Sequence, residues 1–239
     1  MSASTTPAAW PNTGRSRNSP TPSSRAASSS PPTQWPAALA DLGPACPLGL
    51  WVRAHDRLPE LTTSTVVVTG NRVASPEAIE RSTAFATAVA EAGHTVAAAL
   101  AYGVDATAHE AAHLIGGPTL AVLPRGLDRA YPHNHAPLLN AISENGGAAL
   151  SLYRPGTVTS SATLKASAAL LAALSRAVIL IEALDHAQAL RTAEAAIDLK
   201  RPLLAVPSDG GIRAGGNARL LAERLARPCA SPARALELL

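Results

Sequence analysis

A glycine turn at the end of a β-branched run is the first place where this sequence could bind a ligand. Val66, Val67 and Val68 form a run without polar alternation, which predicts a strand buried on both faces of a parallel sheet. Gly70 follows this run, and because glycine has no Cβ we expect a ligand to reach the main chain there. Open α/β sheets bind their ligands in turns of this kind, at the carboxyl ends of strands.

A second constellation of residues offers different chemistry. His109-Glu110-Ala-Ala-His113 has the spacing of the His-Glu-x-x-His pattern, in which two imidazoles on one helix face bind zinc and the glutamate acts as general base. No third ligand stands out farther along the chain, so zinc hydrolysis is the weakest of the candidate functions. The sequence has neither a Ser/His/Asp spacing nor a Gly-x-Gly-x-x-Gly fingerprint. We therefore expect no catalytic residue, no metal and no cofactor.

Both constellations lie in a chain that alternates between strand and helix patterns. Ser75-Pro76-Glu77 predicts the start of a helix after the first turn, because Ser75 is a good N-cap and Pro76 suits the first helical position. This alternation predicts an α/β fold with a Rossmann-like, doubly wound and mostly parallel sheet. The other predicted strands are Leu48–Val52, Thr119–Leu123, Ala148–Leu152, Ala177–Ile181 and Leu203–Val206, and the other predicted helices are Pro137–Asn145, Ser161–Leu174, Ala189–Leu199, Asn217–Leu225 and Pro232–Leu238.

The charge of the chain limits the extent of any surface that binds nucleic acid. The formal net charge is +3 and the isoelectric point is about 9.2, which is typical of a nucleic-acid-binding protein. However, Arg15, Arg17 and Arg25 account for all of this charge, and they are the only charged residues before Trp35. The remainder of the chain is formally neutral, so any anion site in it must be local.

The first 34 residues differ in composition from the rest of the chain. They are rich in Ser, Thr and Pro, which predicts a disordered tail over residues 1–34 and a single Rossmann-like domain over residues 35–239. Cys46 and Cys229 lie in no metal or redox spacing, as expected of reduced thiols in a cytoplasmic protein. No segment has the pattern of a signal peptide or of a membrane span, so we expect no membrane partner.

Several short motifs, in a fixed order, resemble those of a known family. Gly70-Asn71-Arg72 with Ala74-Ser75 is similar to a Gly-Ser-Arg-x-Ala-Ser motif. Leu100-Ala101-x-Gly103-Val104-Asp105 with Ala108-His109 is similar to a Gly-Leu-Ala-x-Gly-Ile-Asp-x-x-Ala-His signature. Further matches are Gly126-Leu127-Asp128, Tyr131-Pro132, Ile181-Glu182-Ala183 and Gly216-Asn217. The ordered set, which extends from Trp35 to Leu239, resembles the DNA-processing protein A (DprA/Smf) family.

The resemblance implies a domain that binds single-stranded DNA and loads a recombinase onto it during natural transformation, usually as a homodimer. A turn backbone, a helix N-terminus and a guanidinium group together suit a phosphate. The alternative for the guanidinium of Arg72 is an ion pair with Asp105 or Glu182. We expect Asp105, His109 and Asp128 to support the loops. The DNA- or phosphate-binding residues that the resemblance implies are Gly70, Asn71, Arg72, Gly103, Arg125 and Lys165.

Two motifs of the family are replaced in this chain. Ser167-Ala168-Ala169 stands where the family has Arg-Asn-Arg, and Ala187-Gln188-Ala189-Leu190 stands where it has Ser-Gly-Ser-Leu. These replacements remove positive charge and leave Lys165 as the nearby cation, so a second function stays open. In that alternative the chain binds a nucleotide or a nucleotide derivative, and Arg72 holds one phosphate. The candidates for stacking against bases are Tyr102, Tyr131 and Tyr153.

Overall fold

A nine-stranded sheet runs through the part of the chain that the computed structural model describes, which is residues 6–8, 35–54, 58–208 and 212–239. The strands lie in the order β1-β2-β6-β5-β4-β3-β7-β8-β9, and those from β6 to β9 in this order are parallel. Only the pairs β1–β2 and β2–β6 are antiparallel within the described residues. The strands are β1 (Thr6–Ala8), β2 (Leu50–Ala54), β3 (Thr65–Thr69), β4 (Thr95–Ala98), β5 (Thr119–Val122), β6 (Ala148–Ser151), β7 (Ala177–Leu180), β8 (Leu203–Ala205) and β9 (Arg227–Pro228).

Helices cover both faces of this sheet. Among the described residues, no helix is both long and apolar enough to cross a membrane. Short 3₁₀ segments lie at Ala37–Ala45, His133–His135 and Ile212–Ala214. The α-helices are α1 (Leu58–Thr63), α2 (Pro76–Glu91), α3 (Val104–Leu114), α4 (Ala136–Glu144), α5 (Ser161–Ala173), α6 (Ala189–Asp198), α7 (Gly215–Ala222) and α8 (Pro232–Leu238).

Alternate residues of each central strand belong to different cores, because successive side chains point to opposite faces of a sheet. In β3, Val67 packs on one face with α5 and α6, whereas Val66 and Val68 pack on the other with α2 and α3. All five residues of β3 are buried. A strand covered on both faces requires the continuous apolar run that the sequence shows at this point.

The start of α2 has the cap that the sequence predicts. The hydroxyl oxygen of Ser75 accepts a hydrogen bond from the Ala78 backbone N–H at 3.1 Å, and Pro76 is the first helical residue. Phe85 in this helix is almost fully buried against the sheet. The helix is therefore fixed at its first turn and along one face, which sets the direction of the turn between β3 and α2.

The strand order creates a crevice beside β3. From β3 the chain adds β4, β5 and β6 on one side, and it then returns to add β7 and β8 on the other side. Connections that leave neighbouring strands toward opposite faces separate from one another at the carboxyl ends of those strands. The fold thus places a cleft next to the glycine turn that follows β3.

The predicted fold class is confirmed by this architecture. The sequence did not predict the antiparallel pairing of β2 with β6, the short helix α1 or the edge strands β1 and β9. In the predicted tail, Thr6–Ala8 pair with β2, and the other residues of 1–34 lie outside the described residues. The boundary at Trp35 stays a prediction.

Candidate functional site

A cavity of about 340 Å³ opens at the carboxyl ends of β3, β4 and β5. One wall comes from the two glycine turns, residues 69–72 after β3 and residues 101–105 after β4, and we call these two turns the glycine wall. The residues of these turns that line the cavity are Thr69, Gly70, Arg72, Ala101 and Asp105. The opposite wall, which we call the helical wall, consists of Leu164, Ser167, Ala168 and Leu171 of α5 together with Gln188 and Thr192 at the start of α6. Tyr131 also lines this cavity.

Gly70 and Gly103 allow the two turns of the glycine wall to touch the rest of the protein closely. A Cβ on Gly70 would lie 2.7 Å from the Glu182 carbonyl oxygen and 2.8 Å from a methyl group of Val104. A Cβ on Gly103, which has a φ of +73°, would lie 2.3 Å from the Asn71 carbonyl oxygen. Protein atoms thus occupy the space where a Cβ of Gly70 would lie. Our expectation that a ligand reaches the main chain from this side is therefore wrong. Gly70 still lines the cavity.

The Asn71 side chain holds the turn after β3 to the far side of the crevice. Its amide nitrogen donates to Glu182 Oε2 and to the Arg213 carbonyl, both at 2.9 Å, and its oxygen accepts from the Leu184 backbone N–H at 2.9 Å. Asn71 is 2% exposed. Because all these groups of the side chain are engaged by protein, the Asn71 side chain has no capacity left for a phosphate.

Arg72 is the residue of the glycine wall that presents a positive charge to solvent. Arg72 is exposed and lines the cavity. Glu182, one predicted alternative partner, is instead bound by the Asn71 side chain and by the Ser75 backbone N–H at 3.2 Å. Within the described residues Arg72 forms no ion pair, although its charge acts on the buried Asp105. No hydrogen bond or ion pair with a described residue engages the guanidinium group, so it can bind an anion.

Asp105 is a buried carboxyl group at the base of the glycine wall. It accepts a hydrogen bond from the Thr69 hydroxyl at 2.7 Å and further hydrogen bonds from the backbone N–H groups of Gly70 and Ala101. Burial raises the pKa of Asp105 to about 7, and these hydrogen bonds and the charge of Arg72 oppose that rise. Asp105 thus joins the two turns, and near pH 7 it is partly neutral.

His109 lies behind the glycine wall and is completely buried. Its Nε2 is 3.1 Å from the Ala99 carbonyl oxygen, and burial lowers the pKa of the ring to about 4. Glu110, the next residue on α3, is exposed. Within the described residues no three His, Cys, Asp or Glu side chains come together in a group that could hold a metal ion. The side chains of the His-Glu-x-x-His pattern therefore do not form a zinc site in this part of the chain.

The other predicted residues lie away from the cavity lining. Arg125 is half-buried in the loop after β5, where its carbonyl accepts a hydrogen bond from the Ser151 hydroxyl at 2.7 Å. Lys165 is exposed and lines a second cleft, between α5 and α6. Asp128 accepts a hydrogen bond from the Gly156 backbone N–H at 2.8 Å, a contact that supports its loop. Of the predicted phosphate-binding residues, Gly70 and Arg72 line the cavity.

The helical wall carries no charged side chain. The Ser167 hydroxyl donates to the Leu123 carbonyl at 3.2 Å, which fastens α5 to the end of β5. Leu171 and Ala168 supply apolar surface, and Gln188 supplies an amide. The sequence showed that the arginines of the family motif are replaced in α5. It did not show that the side chains of the helical wall line a cavity together with Tyr131.

Comparison with known proteins relates the chain to one family. The family described as DNA recombination-mediator protein A matches residues 29–239. A DNA processing protein DprA of Mycobacterium tuberculosis is 35% identical over 161 residues, which is 67% of this chain and 41% of that protein. The chain thus spans less than half the length of this relative.

Two solved structures share the architecture. DNA processing protein A of Helicobacter pylori, whose structure concerns its single-stranded DNA binding mode, aligns with a TM-score of 0.77 at 25% identity over 85% of this chain and 91% of that chain. DNA processing protein A of Streptococcus pneumoniae aligns with a TM-score of 0.77 at 28% identity over 86% of this chain and 71% of that chain. The two structures share most of the Rossmann-like sheet and its helices with this chain.

Proposed function

Because the chain belongs to the DNA recombination-mediator protein A family, we propose that it binds single-stranded DNA and holds one backbone phosphate at Arg72. The observation that carries this proposal is an exposed guanidinium group, without a carboxylate partner among the described residues, in the lining of a cavity. The cavity lies at the carboxyl ends of parallel strands, where sheets of this kind bind ligands. A charge-assisted hydrogen bond to a phosphate oxygen is the interaction that such a group makes best.

The proposed contact is local, so the affinity for DNA is expected to depend strongly on one residue. The glycine wall offers Arg72 as its exposed cation, and the helical wall offers none. Asp105 does not oppose the phosphate with a full negative charge near pH 7, because burial raises the pKa of its carboxyl to about 7. The described site thus suits one phosphate better than a long, continuous phosphate track.

The experiment that tests this proposal is a fluorescence anisotropy titration with a labelled oligothymidylate, using the intact chain and two charge variants. Arg72→Gln removes the proposed phosphate contact, and we expect it to weaken binding about tenfold or more, since hydrogen bonds to charged groups contribute roughly 1.5–3 kcal/mol. Lys200→Gln is the matched control, because Lys200 is exposed in the turn between α6 and β8, at the opposite edge of the sheet. Equal affinities of the two variants would contradict the proposal.

The uncharged helical wall favours a second candidate function, the binding of a nucleotide or a nucleotide derivative. A cavity of about 340 Å³ lined by Ala168, Leu171 and Tyr131 is enclosed enough for a small ligand. Competition separates the two functions. If a mononucleotide displaces the labelled oligonucleotide only at concentrations far above those at which an unlabelled oligonucleotide displaces it, DNA is the favoured ligand. If the chain binds a mononucleotide but binds no oligonucleotide measurably, the alternative function is favoured.

The remaining features of the proposal rest on family membership. We infer that the chain binds DNA without catalysis, that it loads a recombinase in natural transformation, and that it forms a homodimer. We also infer that it acts in the cytoplasm, where free thiols such as Cys46 and Cys229 are usual. The sequence places apolar residues along one face of α6 and of α7. These faces do not support a dimer, because Leu190, Ala193 and Leu220 are buried in the core of the same chain. Sedimentation of the full chain at several concentrations measures the oligomeric state directly.

A further inference from the structure

Two rings from separate loops form an aromatic pair beside the cavity. Tyr102 lies in the turn between β4 and α3, and His135 ends the 3₁₀ segment that precedes α4. Their ring centroids are 4.5 Å apart and the ring planes meet at 73°, an edge-to-face arrangement. Tyr102 remains 38% exposed despite this contact, so part of the residue still faces solvent.

His135 is fixed by the same turn that carries Tyr102. Its Nδ1 is 2.9 Å from the Leu100 carbonyl oxygen, and because a carbonyl only accepts, Nδ1 is the nitrogen that donates the hydrogen bond. The imidazole is therefore tied to the backbone two residues before Tyr102, and it supports the tyrosine ring from the side. A ring held in this way loses little conformational freedom when it binds a ligand.

The aromatic pair is adjacent to the proposed phosphate contact. Ala101 before Tyr102 lines the cavity, and Gly103 after it packs against the backbone carbonyl groups of Asn71 and Arg72. Tyr102 thus lies between a residue that lines the cavity and a residue that packs against the Arg72 turn.

We propose that Tyr102, supported by His135, is the surface on which a base of the bound single strand stacks. This inference rests on the proposed function, because the base that stacks on Tyr102 is the one next to the phosphate that Arg72 binds. Aromatic rings beside a cationic phosphate contact are the usual means by which proteins bind single strands without reading the sequence. The pair adds an attraction that is independent of phosphate charge to a site whose helical wall carries no charged side chain.

The experiment compares two oligonucleotides of equal length and charge with the full chain: oligothymidylate, and the same backbone carrying abasic tetrahydrofuran residues. Tyr102→Ala is expected to weaken binding of oligothymidylate about tenfold and to leave binding of the abasic strand unchanged. Tyr102→Phe is expected to retain the affinity of the native chain for both, since it keeps the ring. His135→Ala is expected to cause a smaller loss, again only with oligothymidylate.

The outcomes separate this inference from the proposed function. If the native chain binds both strands equally and Arg72→Gln weakens both, the phosphate contact stands and the stacking surface is overturned. A Tyr102→Ala loss that is equal for both strands, or a Tyr102→Phe loss as large as that of Tyr102→Ala, also overturns it. If Arg72→Gln has no effect on either strand, the proposed function itself fails. A thermal melt of each variant identifies any loss that comes from unfolding.

Discussion

The two walls of the cavity differ in how their polar groups are used. In the glycine wall, Asn71 and Asp105 are buried and bonded to protein groups, and Arg72 alone is left exposed with a charge. In the helical wall, Leu171 and Ala168 contribute shape and no charge. The difference indicates that the buried polar residues of the glycine wall position a single cation, Arg72. The helical wall limits the size of a ligand that fits beside Arg72.

The largest expected effect is on the close contact inside the glycine wall. Gly103→Ala places a methyl group 2.3 Å from the Asn71 carbonyl oxygen at a φ of +73°, so both the clash and the backbone strain must be relieved. We expect the free energy of unfolding to fall by about 3 kcal/mol or more. Chemical denaturation monitored by circular dichroism measures this change.

Gly116→Ala is the matched control for this variant. Gly116 has nearly the same φ, +72°, but a Cβ there would meet no atom within 4 Å. This control should lose only about 1 kcal/mol, from the backbone alone. Equal losses in the two variants would mean that the contact between the two turns does not stabilise the glycine wall.

The second effect concerns the pH dependence of stability. The pKa of Asp105 is about 7 in the native state and 3.8 in an ordinary side chain. As the pH falls, the native state therefore takes up this proton at a higher pH than the unfolded state does, and the free energy of unfolding rises between about pH 7 and pH 4. The pKa of His109 is about 4 in the native state and 6.5 in an ordinary side chain. As the pH falls, the unfolded state therefore takes up this proton at a higher pH than the native state does, and the free energy of unfolding falls between about pH 6.5 and pH 4. The two contributions oppose each other over most of this range.

Asp105→Asn should remove the first contribution and leave the second. Between pH 6 and pH 4.5 we expect the free energy of unfolding of the variant to fall more steeply than that of the native chain, by about 1.4 kcal/mol per pH unit. Urea denaturation at several pH values measures both slopes. Parallel slopes would show that Asp105 ionises normally, which the burial of its carboxyl group argues against.

The sequence predicted the fold better than it predicted the site, and the reason is the range of the interactions. β5, β6 and α5 follow from local patterns of apolar residues and caps, so their bounds agree with the structure to within one or two residues. The role of Asn71 depends on Glu182 and Arg213, which are more than 100 residues away in the chain. A single sequence does not reveal such partners.

Helix geometry explains the position of Lys165, and long-range contact explains why the aromatic pair was not predicted. Lys165 is only two residues from Ser167, but on a helix two positions correspond to a rotation of about 200°, so it points into the outer cleft. The sequence indicated Tyr102 as a stacking candidate but gave no reason to pair it with His135. Their contact joins a turn after β4 to a segment 33 residues later, and only the folded chain brings the two rings together.

The smallest expected effect comes from giving the helical wall the charge that it lacks. Ala168→Lys adds a cation that lines the cavity opposite Arg72, and we expect the affinity for single-stranded DNA to rise severalfold at low salt. Ala92→Lys is the control, because Ala92 is exposed at the end of α2, on the opposite edge of the sheet. An equal gain in both variants would indicate an effect of net charge rather than of the cavity.

The central claim, that Arg72 binds a backbone phosphate, is tested most directly by the salt dependence of oligothymidylate binding. For single strands the logarithm of the association constant falls with the logarithm of the salt concentration by about 0.7 for each phosphate contact. Arg72→Gln should therefore make this slope shallower by about 0.7, whereas Lys200→Gln should leave it unchanged. If Arg72→Gln keeps the slope of the native chain, Arg72 does not bind a phosphate and the account is contradicted.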